Sequence, residues 1–155
     1  MDYISSDTNV WIDFSAIRRT ELPFRLPFTY IMSELAIEDE LITPSGIGQE
    51  LVSLGLMPVK ITMEEFDFAE SLGLQYIKLS VYDRIALAIA KNRGITLLTG
   101  DGALRKAARQ EGVSIMGTLG IFDCFWDGGL IDQTEYADCL QTDNYRPSAN
   151  KIEKA

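Results

Sequence analysis

Short apolar runs alternate along this chain with longer stretches of helical spacing, and that alternation confines it to an α/β fold. Tyr3–Ser6, Phe28–Met32, Val59–Ile61, Thr96–Leu98 and Val113–Met116 read as strands. Helices are expected from Thr8 to about Ile17, with Val10, Trp11, Phe14 and Ile17 on helical spacing, and over Leu35–Leu41 and Ile47–Leu54. Two capping-box patterns, Thr62-Met63-Glu64-Glu65 and Ser80-Val81-Tyr82-Asp83, start a helix to about Leu72 before Gly73 and a helix over Asp83–Arg93. Further helices are read over Ala103–Glu111, Ile121–Trp126 and Thr134–Leu140, while Thr20–Pro27, with its two prolines, reads as loop.

A chain of 155 residues, 46% hydrophobic and 24% charged, has the size and composition of one globular domain. We take that domain as residues 1–142, followed by a polar tail over 143–155. No apolar stretch is long enough to span a membrane, and Met1-Asp2-Tyr3 lacks the basic region of a signal peptide. Cys124 and Cys139 form neither a zinc motif nor a disulfide framework. They read as thiols in a reducing compartment, so a cytoplasmic protein is expected. A net charge of −9 argues against a broad basic face for nucleic acid, and favours a basic protein partner.

Four acids, Asp7, Glu40, Asp83 and Asp101, sit where an apolar run gives way to a helix or on a helix's own turns. The carboxyl ends of parallel strands are where ligands bind in an open sheet. Carboxylates gathered there repel one another unless a hard cation such as Mg²⁺ or Mn²⁺ lies between them. The chain contains no histidine, so hydrolysis would run on carboxylates and metal. Each acid also has a plainer explanation. Asp7 suits a helix cap, Asp83 the dipole of the helix that Ser80 starts, and Asp101 a turn. Glu40 shares its helix with Glu34, Glu38 and Asp39, a pattern that a solvated face accounts for.

The chain from Tyr3 to about Asp132 resembles the PIN-domain ribonucleases, the fold of VapC-type toxins in toxin–antitoxin systems. The resemblance is carried by Ser6-Asp7-Thr8-Asn9-Val10-Trp11-Ile12, by Leu79-Ser80-Val81-Tyr82-Asp83-Arg84-Ile85-Ala86-Leu87-Ala88, and by Leu97-Leu98-Thr99-Gly100-Asp101-Gly102-Ala103-Leu104-Arg105. It implies a three-layer α/β/α domain with a mainly parallel central sheet. It also implies a metal-dependent ribonuclease whose acids are Asp7, Asp83 and Asp101, with Glu40-Leu41 as the second acid and Glu50-Leu51 as a rival. By the same resemblance Asn9 and Thr99 orient the metal-binding carboxylates. Arg84, Arg105 and Lys106 hold substrate phosphates, unless they are simply exposed helix charges. Asp123 is an additional acid near the site or a helix cap.

RNA, an antitoxin-like protein and a second copy of the chain are the partners this implies. The residues Trp11, Ile12, Phe14 and Ile17 leave more than one face of their helix apolar, which suits a homodimer. Trp11, Phe14, Phe122, Phe125 and Trp126 are otherwise expected in the core. A non-catalytic PIN-like binding module is the competing reading. Phosphatase and receiver patterns fit less well, because Asn9 stands where a phosphatase has a second Asp and Ser6-Asp7 supplies only one of a receiver's paired acids.

Overall fold

A computed structural model describes residues 2–132 and 134–135. The chain runs β1 (Asp2–Ser6), α1 (Thr8–Ala16), a 3₁₀ turn (Leu22–Arg25), β2 (Phe28–Ser33), α2 (Glu34–Glu40), α3 (Ile47–Leu54) and β3 (Met57–Val59). It continues through α4 (Met63–Gln75), α5 (Val81–Arg93), β4 (Thr96–Leu98), α6 (Gly102–Gln110), β5 (Ile115–Met116) and α7 (Thr118–Asp127). The expected helix over Thr134–Leu140 lies, beyond Glu135, outside the described residues, as do Cys139 and the tail from Asp143.

The five strands form one sheet in the order β3-β2-β1-β4-β5, and every pairing is parallel. Parallel strands need covering on both faces, and each face has its own core. Ile4, Tyr30, Met32 and Leu98 point to one side, where α1, α2, α3 and α7 contribute Trp11, Phe14, Ala36, Leu51, Phe122 and Phe125. Leu97 and Ile31 point to the other, against Leu72 of α4, Leu87 and Ile89 of α5 and Leu104 of α6. The result is the three-layer α/β/α arrangement.

The chain leaves β1 through α1 on one face and leaves β4 through α6 on the other. Strands β1 and β4 are neighbours, with Ser6 opposite Leu98. Diverging connections from adjacent parallel strands open a crevice at their carboxyl ends. Two serines on β1 keep the centre of the sheet tight without orphaned polar groups. Ser5 Oγ donates to Ala86 O at 2.9 Å, and Ser6 Oγ donates to Ile31 O while accepting from Trp11 Nε1 at 2.9 Å.

Several boundaries differ from the sequence reading for identifiable reasons. The third strand is Met57–Val59 rather than Val59–Ile61, with Pro58 inside it. It is the edge strand, the one place in a sheet where a missing N–H is tolerated. Helix α4 runs through Gly73 to Gln75, because Arg84 of α5 lies against that glycine. Ser33 caps α2 by accepting from Leu35 N, so that helix starts at Glu34. Helix α5 starts at Val81, directly after its cap Ser80. The last strand shortens to Ile115–Met116, and α7 begins at Thr118. No described helix is long and apolar enough to cross a membrane.

The apolar residues of α1 are taken up internally. Trp11 and Phe14 are fully buried, and Ile12 and Ile17 pack partly buried against the same core. That removes the basis on which α1 was read as a face for a second copy. Phe122 and Phe125 are buried as expected, and Trp126 is partly buried.

Candidate active site

Asp7 follows β1 directly, and its N–H donates to Leu98 O at 3.0 Å, which locks the end of β1 to the end of β4. It occupies the cap position of α1, yet its side chain makes no cap hydrogen bond. The Asn9 N–H, at the second position of the helix, favours the charged carboxylate, so the position keeps part of a cap's role while the side chain's close hydrogen bond goes to Thr99. Its carboxylate is 4% exposed and accepts from Thr99 Oγ1 at 2.8 Å.

Burial pushes the Asp7 pKa up to about 6, with Asp83 and Asp101 pushing the same way by repulsion; the hydrogen bonds from Thr99 and the Asn9 N–H only partly oppose them. Thr99 is fully buried and serves two acids, since its hydroxyl also accepts from Asp101 N at 3.0 Å. Asp101 caps α6 by accepting from Leu104 N at 2.8 Å. Asp83 closes the α5 capping box by accepting from Ser80 N at 3.0 Å, while Ser80 Oγ accepts from Asp83 N. In both acids these bonds run through Oδ2.

Glu40, at the end of α2, accepts from Thr8 Oγ1 at 2.7 Å, and Thr8 is the residue after Asp7. Its rival Glu50 is exposed and accepts instead from Thr20 at 3.1 Å. Sequence reasoning passed over Thr8, whose only signal was its place beside Asp7. It also passed over Tyr82, whose hydroxyl donates to Asp39 and so ties α5 to α2 beside Glu40.

The expected phosphate-binding residues separate. The Arg84 guanidinium is turned onto α4, where Nη1 donates to Ala69 O at 3.1 Å. Arg105 lies against Gly117 at the start of α7, and Lys106 is exposed. Lys106 and Lys78 flank a groove of about 520 Å³ that includes Tyr76, Leu79 and Gly102, the last being the residue after Asp101. The side chain of Asn9 is exposed. Asp123 lies in α7, one turn past its start.

A PIN-domain family model matches residues 3–155, nearly the whole chain. The chain belongs to the PIN-domain family. No curated protein and no solved structure matches it. A PIN domain is a nuclease-type fold, and in this one Asp7 directly follows β1 and Asp101 ends the loop that leaves the adjacent parallel strand β4.

The donor chemistry suits a hard divalent cation. Asp7, Asp83 and Asp101 offer only carboxylate oxygens, and none of them takes part in a salt bridge among the described residues. Repulsion from Asp83 and Asp101 reaches Asp7. Among the described residues, however, no three acids close around a single cation-sized point. The three side chains are held from separate anchors: Thr99 for Asp7, Ser80 for Asp83 and the start of α6 for Asp101.

Proposed function

We propose that this PIN domain is a divalent-metal-dependent endoribonuclease that hydrolyses RNA phosphodiester bonds. Asp7, Asp83 and Asp101 would hold Mg²⁺ or Mn²⁺, with Glu40 completing the set. The observation that carries the reading is Asp7, a buried acid in no salt bridge among the described residues, raised to about 6 by burial first and then by repulsion from the two other acids. A divalent cation in such a set supplies Lewis acidity toward a phosphoryl oxygen and lowers the pKa of a water for attack on phosphorus.

The chain's own residues prepare that chemistry in four ways. Thr99 fixes the orientation of Asp7 from a fully buried position and couples it to the Asp101 backbone, so the ends of β1 and β4 act as one rigid unit. With a pKa of about 6, Asp7 is ionised at neutral pH and available as a ligand. Thr8 holds Glu40 at the rim, where a carboxylate suits proton transfer. Lys78 and Lys106 along the groove beside Gly102 offer positive charge to a strand leaving the site.

We extend the proposal to the toxin of a toxin–antitoxin pair acting on cytoplasmic RNA, with an antitoxin-like protein as partner. A flanking gene for a small DNA-binding protein would support that extension. With the apolar residues of α1 buried, a homodimer rests on the family resemblance alone, and sedimentation at micromolar concentration tests it.

The catalytic reading is tested by cleavage of single-stranded RNA in Mn²⁺ and in EDTA, with wild type and Asp101→Asn. Wild type should cut only with metal, and Asp101→Asn should lose orders of magnitude in rate. RNA bound but never cut, over a range of substrates and metals, would favour a non-catalytic binding module. The net charge of −9 is the observation on that side.

A further inference from the structure

Three polar features lie at the start of α7, and two of them, the Thr118 hydroxyl and Arg105 Nε, have no hydrogen-bond partner among the described residues. The helix begins after Gly117, which has extended backbone and offers no side-chain cap, and its first turn holds no acidic residue. Its first return hydrogen bond runs from Ile121 N to Gly117 O, so the N–H groups of Thr118, Leu119 and Gly120 precede the intrahelical ladder. Thr118, the first helical residue, is 2% exposed, and its hydroxyl has no hydrogen-bond partner. Arg105 reaches the same place from α6. A Cβ built on Gly117 would lie 3.6 Å from its guanidinium carbon and 3.7 and 3.8 Å from its two terminal nitrogens. Arg105 Nε is itself buried without a partner, and Arg105 is in no salt bridge among the described residues.

Buried polar groups are nearly always hydrogen-bonded, and leaving one unpaired destabilises the fold. Two orphans, one on the helix and one on the arginine packed against it, therefore point to an acceptor that belongs between them. A free helix N-terminus attracts anions. A guanidinium beside it favours a planar or tetrahedral oxyanion. Gly117, Leu119 and Arg105 are partly exposed, so an anion approaches along Gly117 toward the terminal guanidinium nitrogens, while the Thr118 hydroxyl and Arg105 Nε lie just beneath the surface.

Its position links it to the acids. Thr99 N donates to Met116 O at 3.1 Å, one residue before Gly117, and the Thr99 hydroxyl bridges Asp7 and the Asp101 backbone. Arg105 N donates to Asp101 O, so Arg105 stands one turn along α6 from that acid.

We propose that the start of α7, with Thr118 and Arg105, is a seat for a phosphodiester group of the nucleic-acid strand that crosses the carboxylate edge. The proposal rests on the nuclease reading for the source of the phosphate. Neighbouring carboxylates favour a singly charged diester over a doubly charged free phosphate. The seat also assigns Arg105 a phosphate that Arg84, turned onto α4, cannot share.

The test keeps seat and source apart. In EDTA, inorganic phosphate is titrated against chloride of equal ionic strength while thermal unfolding is followed in wild type, Thr118→Val, Arg105→Gln and Arg109→Gln. Arg109, at the far end of α6, is the charge-matched control. Phosphate should raise the melting temperature of wild type and Arg109→Gln, and should leave Thr118→Val and Arg105→Gln unmoved. Without phosphate, Thr118→Val should melt no lower than wild type, because it removes an unpaired hydroxyl; a fall would mean Thr118 serves the fold and would overturn the seat. An equal phosphate response in all four proteins would overturn it too.

Source is read from anisotropy with a labelled single-stranded 12-nucleotide RNA in Ca²⁺. Affinity should drop about tenfold or more in Arg105→Gln and much less in Arg109→Gln. A phosphate response without that drop, or no RNA binding by wild type, would refute the strand assignment. If the phosphate response and the drop both appear but wild type never cleaves RNA in Mn²⁺, the seat stands and the catalytic reading fails.

Discussion

Replacing Asp7 with Asn should make the metal-free protein more stable at neutral pH while destroying its response to metal. Asp7 is 4% exposed, and its pKa rises from 3.8 to about 6, which corresponds to about 3 kcal/mol of unfavourable charge burial when the group is ionised. Asn keeps the volume and an oxygen for the Thr99 hydroxyl, but its amide nitrogen must find an acceptor, at a cost of about 1 kcal/mol. The net gain expected at pH 8 in EDTA is about 1–2 kcal/mol, or roughly 2–6 °C in melting temperature.

The pH dependence follows from linkage. Between pH 4 and 6 the folded protein holds the Asp7 proton more tightly than the unfolded chain, so wild-type stability falls as pH rises through that window. The advantage of Asp7→Asn should therefore be full at pH 8 and should turn into a deficit of about 1 kcal/mol near pH 4, where only the cost of the amide remains. Urea unfolding of both proteins at pH 4.5, 6 and 8 in EDTA measures it, and the difference between proteins cancels the other titrating groups. Adding Mn²⁺ at pH 8 should then raise wild type by mass action and leave Asp7→Asn unmoved. An Asp7→Asn protein less stable than wild type at pH 8 would refute the argument, since it would mean that the buried charge is already compensated within the fold.

Asp101 has two duties that substitution can separate. Asn still caps a helix, so Asp101→Asn should keep wild-type stability within about 0.5 kcal/mol, whereas Asp101→Ala should lose about 1 kcal/mol by urea unfolding as the Leu104 N–H goes unpaired. Both should abolish metal-dependent cleavage, and a fully active Asp101→Asn would remove this residue from the site. Glu65, with 1% of its side chain exposed, is pushed up by burial but held below its ordinary value by Arg93, the Thr62 N–H and Asn92. Arg93→Met should cost about 2–4 kcal/mol by urea unfolding at pH 7, and the penalty should shrink as pH falls and Glu65 is protonated. Gly73→Ala reverses the usual helix preference, because the new Cβ would sit 2.6 Å from Arg84 Nη1 and displace it from Ala69 O. A loss of about 1 kcal/mol is expected, and a gain in stability would show that the arginine moves freely.

What could be read from the sequence was local. The boxes at Thr62 and Ser80 announce their helices because a hydroxyl three residues before an acid satisfies two backbone N–H groups wherever it occurs. Asp7 and Asp101 were legible as strand-end acids because the runs before them are short and apolar. What escaped depends on the partner across space. Gly73 reads as a helix stop, yet it lies within α4, where its lack of a Cβ admits Arg84. Arg84 reads as a phosphate ligand from its place beside Asp83, but one position along a helix turns a side chain by about 100°, which faces this one to α4. The α1 apolar residues suggested a partner chain because periodicity cannot show that α7 and the 3₁₀ turn close over them. The distance between acids was equally invisible, since it is set by how three separate anchors lie at the end of the sheet.

The first strand of the chain is the middle strand of the sheet, and its neighbour β4 is made some 90 residues later. A chain emerging from its amino terminus can pair β1 with β2 and β2 with β3, but that half-sheet ends in an open edge at β1. On it Asp7 lacks Leu98, Thr99 and Asp101. Thr99, 92 residues away, arrives together with Asp101 and converts the same side chain into a buried, repelled and oriented one. Long-range pairing of this kind is slow to form. The order of synthesis thus acts as a delay: a partial product of translation that stops before β4 cannot carry the assembled carboxylate edge.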